Sequence, residues 1–218
     1  MMRRPVAIVF GGTRIGNREL FKPETTLESF LDILRAHGIT TIDTAQAYGN
    51  SEAALGAVRA GERFTLDTKW SPYNPLSRDK ETALFPTLRK LGMAFYAFGP
   101  SAGGFLGKTV AQAQEIRNSN MDAVSAACKP FLRDARYLNA LAQWNALAER
   151  ESMSAAEMAY RWMAHHSALD GNEGDGVIIG TSSLKQLEET LGGIERGPLS
   201  DEACDGIQQI WESVAQEA

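Results

Sequence analysis

The sequence predicts an α/β protein built on a parallel sheet. Short apolar runs alternate with segments of helical periodicity along the chain, which indicates parallel strands joined by helical crossovers. The strand candidates, such as "AIVF" and "VIIG", are continuous apolar runs, as expected of strands buried on both faces. We count five strands in 218 residues, fewer than the eight of a complete TIM barrel. By count alone, an open sheet of about five strands with surrounding helices is expected.

The elements follow one another in a regular order. The strands are expected at residues 5–10, 39–45, 63–70, 93–100 and 174–183. Helices are expected at residues 25–38, 50–60, 80–92, 183–197 and 200–216. The region from 109 to 169 is also expected to be mostly helical, most clearly at 154–169. Residues 71–79 and 101–108 are rich in proline or glycine and therefore indicate loops.

Local signals mark where several helices begin. Thr25 or Thr26 is a candidate cap for the first helix, and Asn50 or Ser51 for the second. Pro86 predicts a kink or a late start in the third.

Composition excludes several classes of protein. Hydrophobic residues make up 44% of the chain and charged residues 22%, which are ordinary globular values. A net charge of −5 argues against nucleic acid as a partner, and no apolar run approaches the ~20 residues of a membrane span. The two cysteines have no metal or redox spacing, so we expect a reduced, cytoplasmic protein without a metal site.

Three residues at the ends of two strands suggest acid–base chemistry. Asp43 ends the second strand, Tyr48 follows it and Lys69 ends the third. Because the carboxyl ends of parallel strands share one face, we expect the three to meet. A nearby ammonium group favours the phenolate and would tune the tyrosine as a general acid. The alternative is a structural ion pair beside a loop tyrosine.

Two further stretches suggest anion binding. "GPSAGGFLGK" (99–108) offers backbone N–H groups and a lysine to phosphate oxygens. "GTSSLKQLEE" (180–189) places two hydroxyls at a helix N-terminus, where anions are favoured. Plain N-capping by Ser182 or Ser183 is the alternative.

Together these stretches resemble the aldo-keto reductase superfamily, and most of all its aflatoxin-aldehyde reductase subgroup. The motifs that carry the resemblance are "FGGTRIG", "DTAQAYG", "DTKW", "YNPLSRDKETALFPTLRKLGMAFYAFGPSAGGFLGK", "YLNALAQWNALAE", "AEMAYRWMAHHSAL" and "GDGVIIGTSSLKQLEETLGGIERGPLS". They occur in the family's order and cover nearly the whole chain. The resemblance implies a TIM barrel that reduces aldehydes and ketones with NADPH.

The resemblance also implies roles for individual residues. Tyr48 corresponds to the proton donor, with Lys69 and Asp43 tuning it. Phe98 falls where an aromatic residue stacks on the nicotinamide. The cofactor contacts implied are Thr13, Phe98, Gly99, Gly103, Gly104, Lys108, Gly180, Ser182, Ser183, Gln186 and Glu189.

The sequence departs from the family pattern in one place. The family has three further strands between the catalytic lysine and the loop that begins "YNP", and they carry a catalytic histidine and the groups that hold the nicotinamide carboxamide. Here Lys69 is followed almost at once by Tyr73. None of the three histidines, His37, His165 and His166, matches the catalytic position. The chain is therefore expected to be one domain, residues 1–218, that lacks the family's middle strands. Its fold is expected to be an incomplete TIM-barrel-like parallel sheet of about five strands with surrounding helices.

The missing block has structural consequences. The remaining strands are expected in the order four, five, one, two, three, with exposed edges at "TLDTK" and "AFYAF". Bare edges invite pairing. Closure into a smaller barrel, covering by the helices of 109–169 and dimerisation across the edges are three possible outcomes, and we expect self-association.

Three functions agree with the sequence. The first is an oxidoreductase that reduces an aldehyde or ketone with NADP(H). The second is a non-redox cyclase, dehydratase or isomerase of natural-product biosynthesis that uses Tyr48, Lys69 and Asp43 on a polyketide-like substrate. The third is a non-catalytic subunit that binds NADPH or a partner.

Overall fold

The computed structural model describes residues 5–16, 24–44, 48–67, 71–82, 84–119, 121 and 126–215. In this part of the chain, six parallel strands form one sheet in the order β3-β2-β1-β6-β5-β4. The strands are β1 (Ala7–Gly11), β2 (Thr41–Asp43), β3 (Thr65–Asp67), β4 (Ser71–Pro72), β5 (Tyr96–Phe98) and β6 (Gly176–Ile179). The predicted parallel sheet and the predicted order of its five strands are confirmed.

β4 is a strand that sequence reasoning missed. Residues 71 and 72 were expected in a loop because proline is a turn-former, but they pair in parallel with Ala97 and Phe98 of β5. Proline is tolerated there because the strand lies at the edge of the sheet. The prediction that "AFYAF" forms an exposed edge is therefore wrong, because β4 covers β5.

The two edges of the sheet belong to one short segment of chain. β3 pairs with β2 and ends at Asp67, whereas β4 pairs with β5 at the opposite edge and begins at Ser71. The four Cα–Cα steps from Asp67 to Ser71 span at most about 14 Å. The sheet must therefore curve enough to bring the end of β3 within this distance of the start of β4. The geometry favours closure into a smaller barrel. Self-association stays a prediction.

Glycines let β1 and β6 pack closely on one face of the sheet. A Cβ atom added to Gly11 would lie 3.0 Å from Cγ2 of Ile178, and one added to Gly176 would lie 3.1 Å from Cγ2 of Val9. Side chains of the other face, such as Phe10 and Ile179, belong to the main hydrophobic core beneath the helices. Successive side chains of β1 and β6 point to opposite faces of the sheet, so these strands bury apolar side chains on both faces.

Nine α-helices surround the sheet in the described residues. They are α1 (Glu24–Ala36), α2 (Ser51–Ala57), α3 (Leu84–Leu91), α4 (Val110–Ser119), α5 (Lys129–Arg133), α6 (Ala135–Arg150), α7 (Ala155–His165), α8 (Leu184–Glu195) and α9 (Asp201–Ala215). Four of them confirm the helical character predicted for 109–169. α3 starts late, with Pro86 in its first turn, where proline is tolerated.

The predicted start of the first helix is wrong, and that of the second is confirmed in position. α1 begins at Glu24, so Thr25 and Thr26 lie inside the helix rather than before it. Asn50 is the N-cap of α2, but its side chain makes no capping hydrogen bond. The Ser51 hydroxyl instead makes hydrogen bonds with Gly12 and Thr44 at the carboxyl ends of β1 and β2.

A buried ion pair fixes the amino ends of β5 and β6. The carboxylate of Asp175 is fully buried and accepts hydrogen bonds from both terminal nitrogens of Arg89 in α3. It also accepts from the backbone N–H groups of Phe95 and Asp170. With so many donors, the charge is fully compensated and joins α3 to the strands at the end of the sheet opposite the candidate site.

Candidate functional site

The carboxyl ends of four adjacent strands bring the candidate residues to one edge of the sheet. Asp43 at the end of β2 is in register with Gly11 at the end of β1. Phe98 ends β5, and Gly180 follows β6. Because β2, β1, β6 and β5 are neighbours, the predicted residues of these loops face a common region.

Tyr48 and Asp43 are in direct contact. The Tyr48 hydroxyl donates a hydrogen bond to Oδ2 of Asp43 at 3.0 Å, and Asp43 is only 2% exposed. Burial raises the pKa of Tyr48 to about 12, the charge of Asp43 acts in the same direction, and a hydrogen bond with the Thr13 side chain lowers it. The phenol therefore keeps its proton at neutral pH, as a proton donor must.

Lys69, the third predicted member of this group, lies outside the described residues. The tuning of Tyr48 by a lysine thus stays a prediction. Among the described groups that act on Tyr48, the net effect on its pKa is upward.

A buried hydroxyl pair holds the loops that carry Thr13 and Tyr48. Oγ of Ser51 donates to the carbonyl oxygen of Gly12 at 3.0 Å, so it must accept the hydrogen bond that joins it to Oγ1 of Thr44, also at 3.0 Å. Both hydroxyls are buried. The loop after β1 is thereby tied to both ends of the connection between β2 and α2. The sequence predicts Ser51 as a helix-capping residue. Its hydrogen bonds between the ends of two strands follow only from the folded arrangement.

Gly12 is required where the loops approach each other. A Cβ atom at this position would lie 2.4 Å from the carbonyl oxygen of Asp43 and 3.1 Å from Oγ of Ser51. Any side chain larger than hydrogen would push β1 and β2 apart beneath Tyr48.

The glycine-rich loop after β5 is a compact series of tight turns. Gly99, Gly103 and Gly104 have φ values of 68°, 66° and 89°, which favour glycine. Several of its N–H groups are used within the loop, including those of Ala102 and Gly104, which donate to Gly99 and Ser101. Fewer amides are thus available to phosphate oxygens than the sequence suggested.

The loop after β6 leads into α8 through a capping arrangement. Oγ of Ser183 accepts from the N–H of Gln186 at 3.1 Å, which is ordinary N-capping. The side-chain carbonyl oxygen of Gln186 in turn accepts hydrogen bonds from both the N–H and the hydroxyl of Ser182, at 2.8 and 2.7 Å. Gln186 thus occupies donors that an anion would take, and a phosphate at this helix N-terminus would have to displace it. Glu189 pairs with Lys185 on the exposed side of the helix.

Thr181 adds an unused polar group at the same strand end. Thr181 is 2% exposed, and its Oγ1 has no hydrogen-bond partner in the described part of the chain.

Lys108 lies apart from the turns of the glycine-rich loop. It lines an open groove of about 430 Å³ between the end of this loop and α4. Its backbone carbonyl accepts a hydrogen bond from Asn145 of α6, which anchors the loop to the helical layer.

The three histidines all make contacts away from Tyr48. Nδ1 of His37 is 2.6 Å from a carboxylate oxygen of Glu195. His165 contacts the carbonyl oxygen of Ile194, and His166 lies between Leu199 and Cys204. In the structure, as in the sequence, no histidine accompanies the tyrosine.

The described residues contain no cluster of three or more metal-binding side chains and no helix long and apolar enough to cross a membrane.

A parallel sheet with a buried aspartate and a tyrosine at its carboxyl edge defines an α/β protein whose candidate site lies at the strand ends. Comparison with known proteins gives the family. The model of the aldo/keto reductase family matches residues 7–72 and 71–212, nearly the whole chain. The chain belongs to this family. The two matches meet at residues 71 and 72, where the sequence places the missing block.

Curated relatives agree. Oxidoreductase sirO of Leptosphaeria maculans is 31% identical over 89% of this chain and 60% of its own length. Aflatoxin B1 aldehyde reductase member 2 of Homo sapiens is 37% identical over 66% of this chain and 43% of its own length. Aldo-keto reductase family 7 member A3 of Homo sapiens is also 37% identical, over 66% of this chain and 46% of its own length. The chain thus spans 60% or less of the length of these relatives.

Proposed function

We propose that the protein reduces an aldehyde or ketone with NADPH, and that Tyr48 donates the proton. The observation that carries this proposal is the hydrogen bond of the protonated Tyr48 phenol with a buried carboxylate at the carboxyl edge of the sheet. Family membership supports an oxidoreductase. Lys69 is part of the proposal, since the resemblance pairs it with Asp43.

The described residues fit a dinucleotide phosphate in several respects. Gly99, Gly103 and Gly104 carry no side chains, so a cofactor can approach the backbone at these positions. The N-terminus of α8 presents the Ser182 and Ser183 hydroxyls to an anion once Gln186 has moved aside. Thr181 offers a further hydroxyl. When bound, NADPH supplies the hydride to the carbonyl carbon.

The chain's own residues would then complete the reaction at the carbonyl oxygen. Tyr48 transfers its proton to that oxygen as negative charge develops there. Because the phenol has a single proton, its hydrogen bond with Asp43 must be released before that proton reaches the carbonyl oxygen, while the Ser51 hydroxyl holds the neighbouring loops in register. Burial raises the pKa of Tyr48, so the phenol holds its proton at neutral pH until negative charge develops on the carbonyl oxygen.

The test is a titration of the purified protein with NADPH, followed by tryptophan fluorescence, and then a panel of aldehydes and ketones followed by NADPH absorbance. We expect saturable binding and consumption of NADPH with at least one carbonyl. Absence of binding at millimolar cofactor would overturn the proposal.

The site also supports a second candidate, a non-redox enzyme that promotes enolisation, dehydration or cyclisation. The observation that favours it is that none of the three histidines lies beside Tyr48, so the partner that orients the carbonyl in the family is missing. This candidate predicts conversion of substrate without NADPH. Conversion that requires stoichiometric NADPH would exclude it.

A further inference from the structure

The edge strand β4 has little backbone pairing of its own. It consists of Ser71 and Pro72, which pair with Ala97 and Phe98 of β5. Proline has no N–H group, so Pro72 donates no hydrogen bond to the ladder. The N–H of Tyr73, directly after the strand, donates to the carbonyl oxygen of Phe98 at 3.2 Å. Because β4 is shorter than the usual ~3–10 residues of a strand, side-chain contacts must contribute to its position.

The Tyr73 side chain anchors the carboxyl end of β4. It is fully buried, and its ring meets Phe85 and Phe95 edge to face, with centroids 5.2 and 6.3 Å away. Its hydroxyl donates a hydrogen bond to a carboxylate oxygen of Glu81 at 2.6 Å and accepts one from the N–H of Ala168 at 3.1 Å. Burial raises the pKa of Tyr73 and the contact with Glu81 adds to this, so the phenol remains a donor at neutral pH. One hydroxyl thus joins the end of β4 to the connection between α7 and β6.

Arg78 holds the carboxylate of Glu81 in place. Its Nε and Nη2 atoms donate to the two oxygens of Glu81 at 2.8 and 3.1 Å, a bidentate arrangement that fixes the orientation of both groups. The guanidinium lies 5.1 Å from the ring centroid of Trp162 in α7 and 5.9 Å from that of Trp211 in α9. Its Nη1 donates to Oε1 of Gln208, also in α9, at 2.7 Å. The ion pair is therefore fixed to two helices of the outer layer.

We propose that Tyr73, Glu81 and Arg78 form a clamp that holds β4 against β5. The contacts run from the end of β4 through the Glu81 carboxylate to α7 and α9, so the last helix takes part in positioning the edge of the sheet. This edge is the one at which the family's middle strands are missing. Without the clamp, β4 should separate from β5 while the rest of the sheet stays folded, because β5 also pairs with β6. The proposal concerns the conformation of the chain and does not depend on the proposed function.

Two substitutions test the two links of the clamp. Tyr73→Phe keeps the ring in its aromatic surroundings and removes only the hydroxyl. Glu81→Gln keeps the shape of the side chain and removes the charge that pairs with Arg78, and it covers the case in which Tyr73→Phe does not fold. Glu62→Gln is the matched control, because Glu62 forms an ion pair of the same spacing with Arg59, but there the side chains are 61% and 77% exposed, against 22% and 16% for Glu81 and Arg78.

Amide hydrogen exchange, followed by NMR at individual residues, measures the separation of β4. Opening of β4 frees the N–H of residue 73 from Phe98. We expect exchange at residue 73 to be about tenfold faster in Tyr73→Phe and in Glu81→Gln than in wild type. The amides of β1 and β6 should keep their wild-type rates in both variants, and residue 73 should keep its rate in Glu62→Gln.

Three results would overturn the proposal. The first is an unchanged rate at residue 73 in either variant that folds. The second is acceleration by the same factor at residue 73, β1 and β6, because that indicates a loss of global stability rather than a local opening. The third is a wild-type protein in which residue 73 exchanges as fast as an unprotected amide, since β4 would then be open with the clamp intact.

Discussion

The hydroxyl of Tyr48 and the carboxylate of Asp43 are 3.0 Å apart, although one residue ends a strand and the other precedes the next helix. The contact depends on a close approach of two loops over Gly12, which the Ser51 hydroxyl secures. Backbone packing and site geometry are therefore linked, and substitutions beneath the site should affect both stability and chemistry.

Replacing Tyr48 by Phe should abolish carbonyl reduction and leave NADPH binding intact. The phenylalanine ring fills the same space but carries no proton. A positioned general acid contributes about 10²–10⁴-fold in rate, so we expect a loss in this range in the consumption of NADPH. Cofactor affinity, measured by fluorescence, is the control. A variant that retains full activity would show that Tyr48 is not the proton donor.

Ser51→Ala should destabilise the protein by about 1–3 kcal/mol, because it leaves the buried Gly12 carbonyl and the Thr44 hydroxyl without this partner. Urea unfolding followed by circular dichroism measures the change. The matched control is Ser119→Ala at the exposed end of α4, which should lie within about 0.5 kcal/mol of wild type. Equal effects of the two substitutions would contradict the role of Ser51 in tying the loops together.

The sequence predicts five of the strands because apolar runs and crossovers are local signals, and the order of the sheet follows from the resemblance to a barrel family. It also predicts that Asp43 and Tyr48 share the carboxyl edge, since parallel strands place their ends together. It does not predict β4, because a two-residue strand has no periodicity and its pairing depends on how far the sheet curves. Likewise the use of Ser51 follows from contacts between loops, which composition and spacing do not encode.

Two glycine-to-alanine substitutions near the site should have opposite effects. At Gly12 the new methyl group would meet the Asp43 carbonyl oxygen at 2.4 Å, so the β1 and β2 loops must separate and the protein should lose several kcal/mol of stability. At Gly56, within α2, a Cβ atom meets nothing within 4 Å, and alanine should stabilise the helix by about 1 kcal/mol. Thermal unfolding of both variants provides the comparison. A Gly12→Ala protein as stable as wild type would show that the loops are not in close contact.

Acidification should weaken the fold through His166, which packs between α7 and α9. Its Nε2 accepts the N–H of Leu199 at 2.7 Å, and its Nδ1 lies 3.2 Å from Sγ of Cys204. Protonation of Nε2 would remove the first of these contacts. Burial is the main cause that lowers the pKa of His166, and the charges of His165 and Arg161 add to it, while Asp201 opposes them.

The sign of the effect follows from this shift. Because the folded-state pKa lies below the ordinary value of about 6.5, the unfolded chain takes up the proton first as the pH falls. The contribution of His166 to the free energy of unfolding is therefore complete above pH 7 and declines below about pH 6.5. Urea unfolding of wild type and His166→Gln between pH 5 and pH 8 measures it. The variant should show a shallower decline below pH 6.5, and identical slopes in the two proteins would show that His166 does not couple protonation to folding.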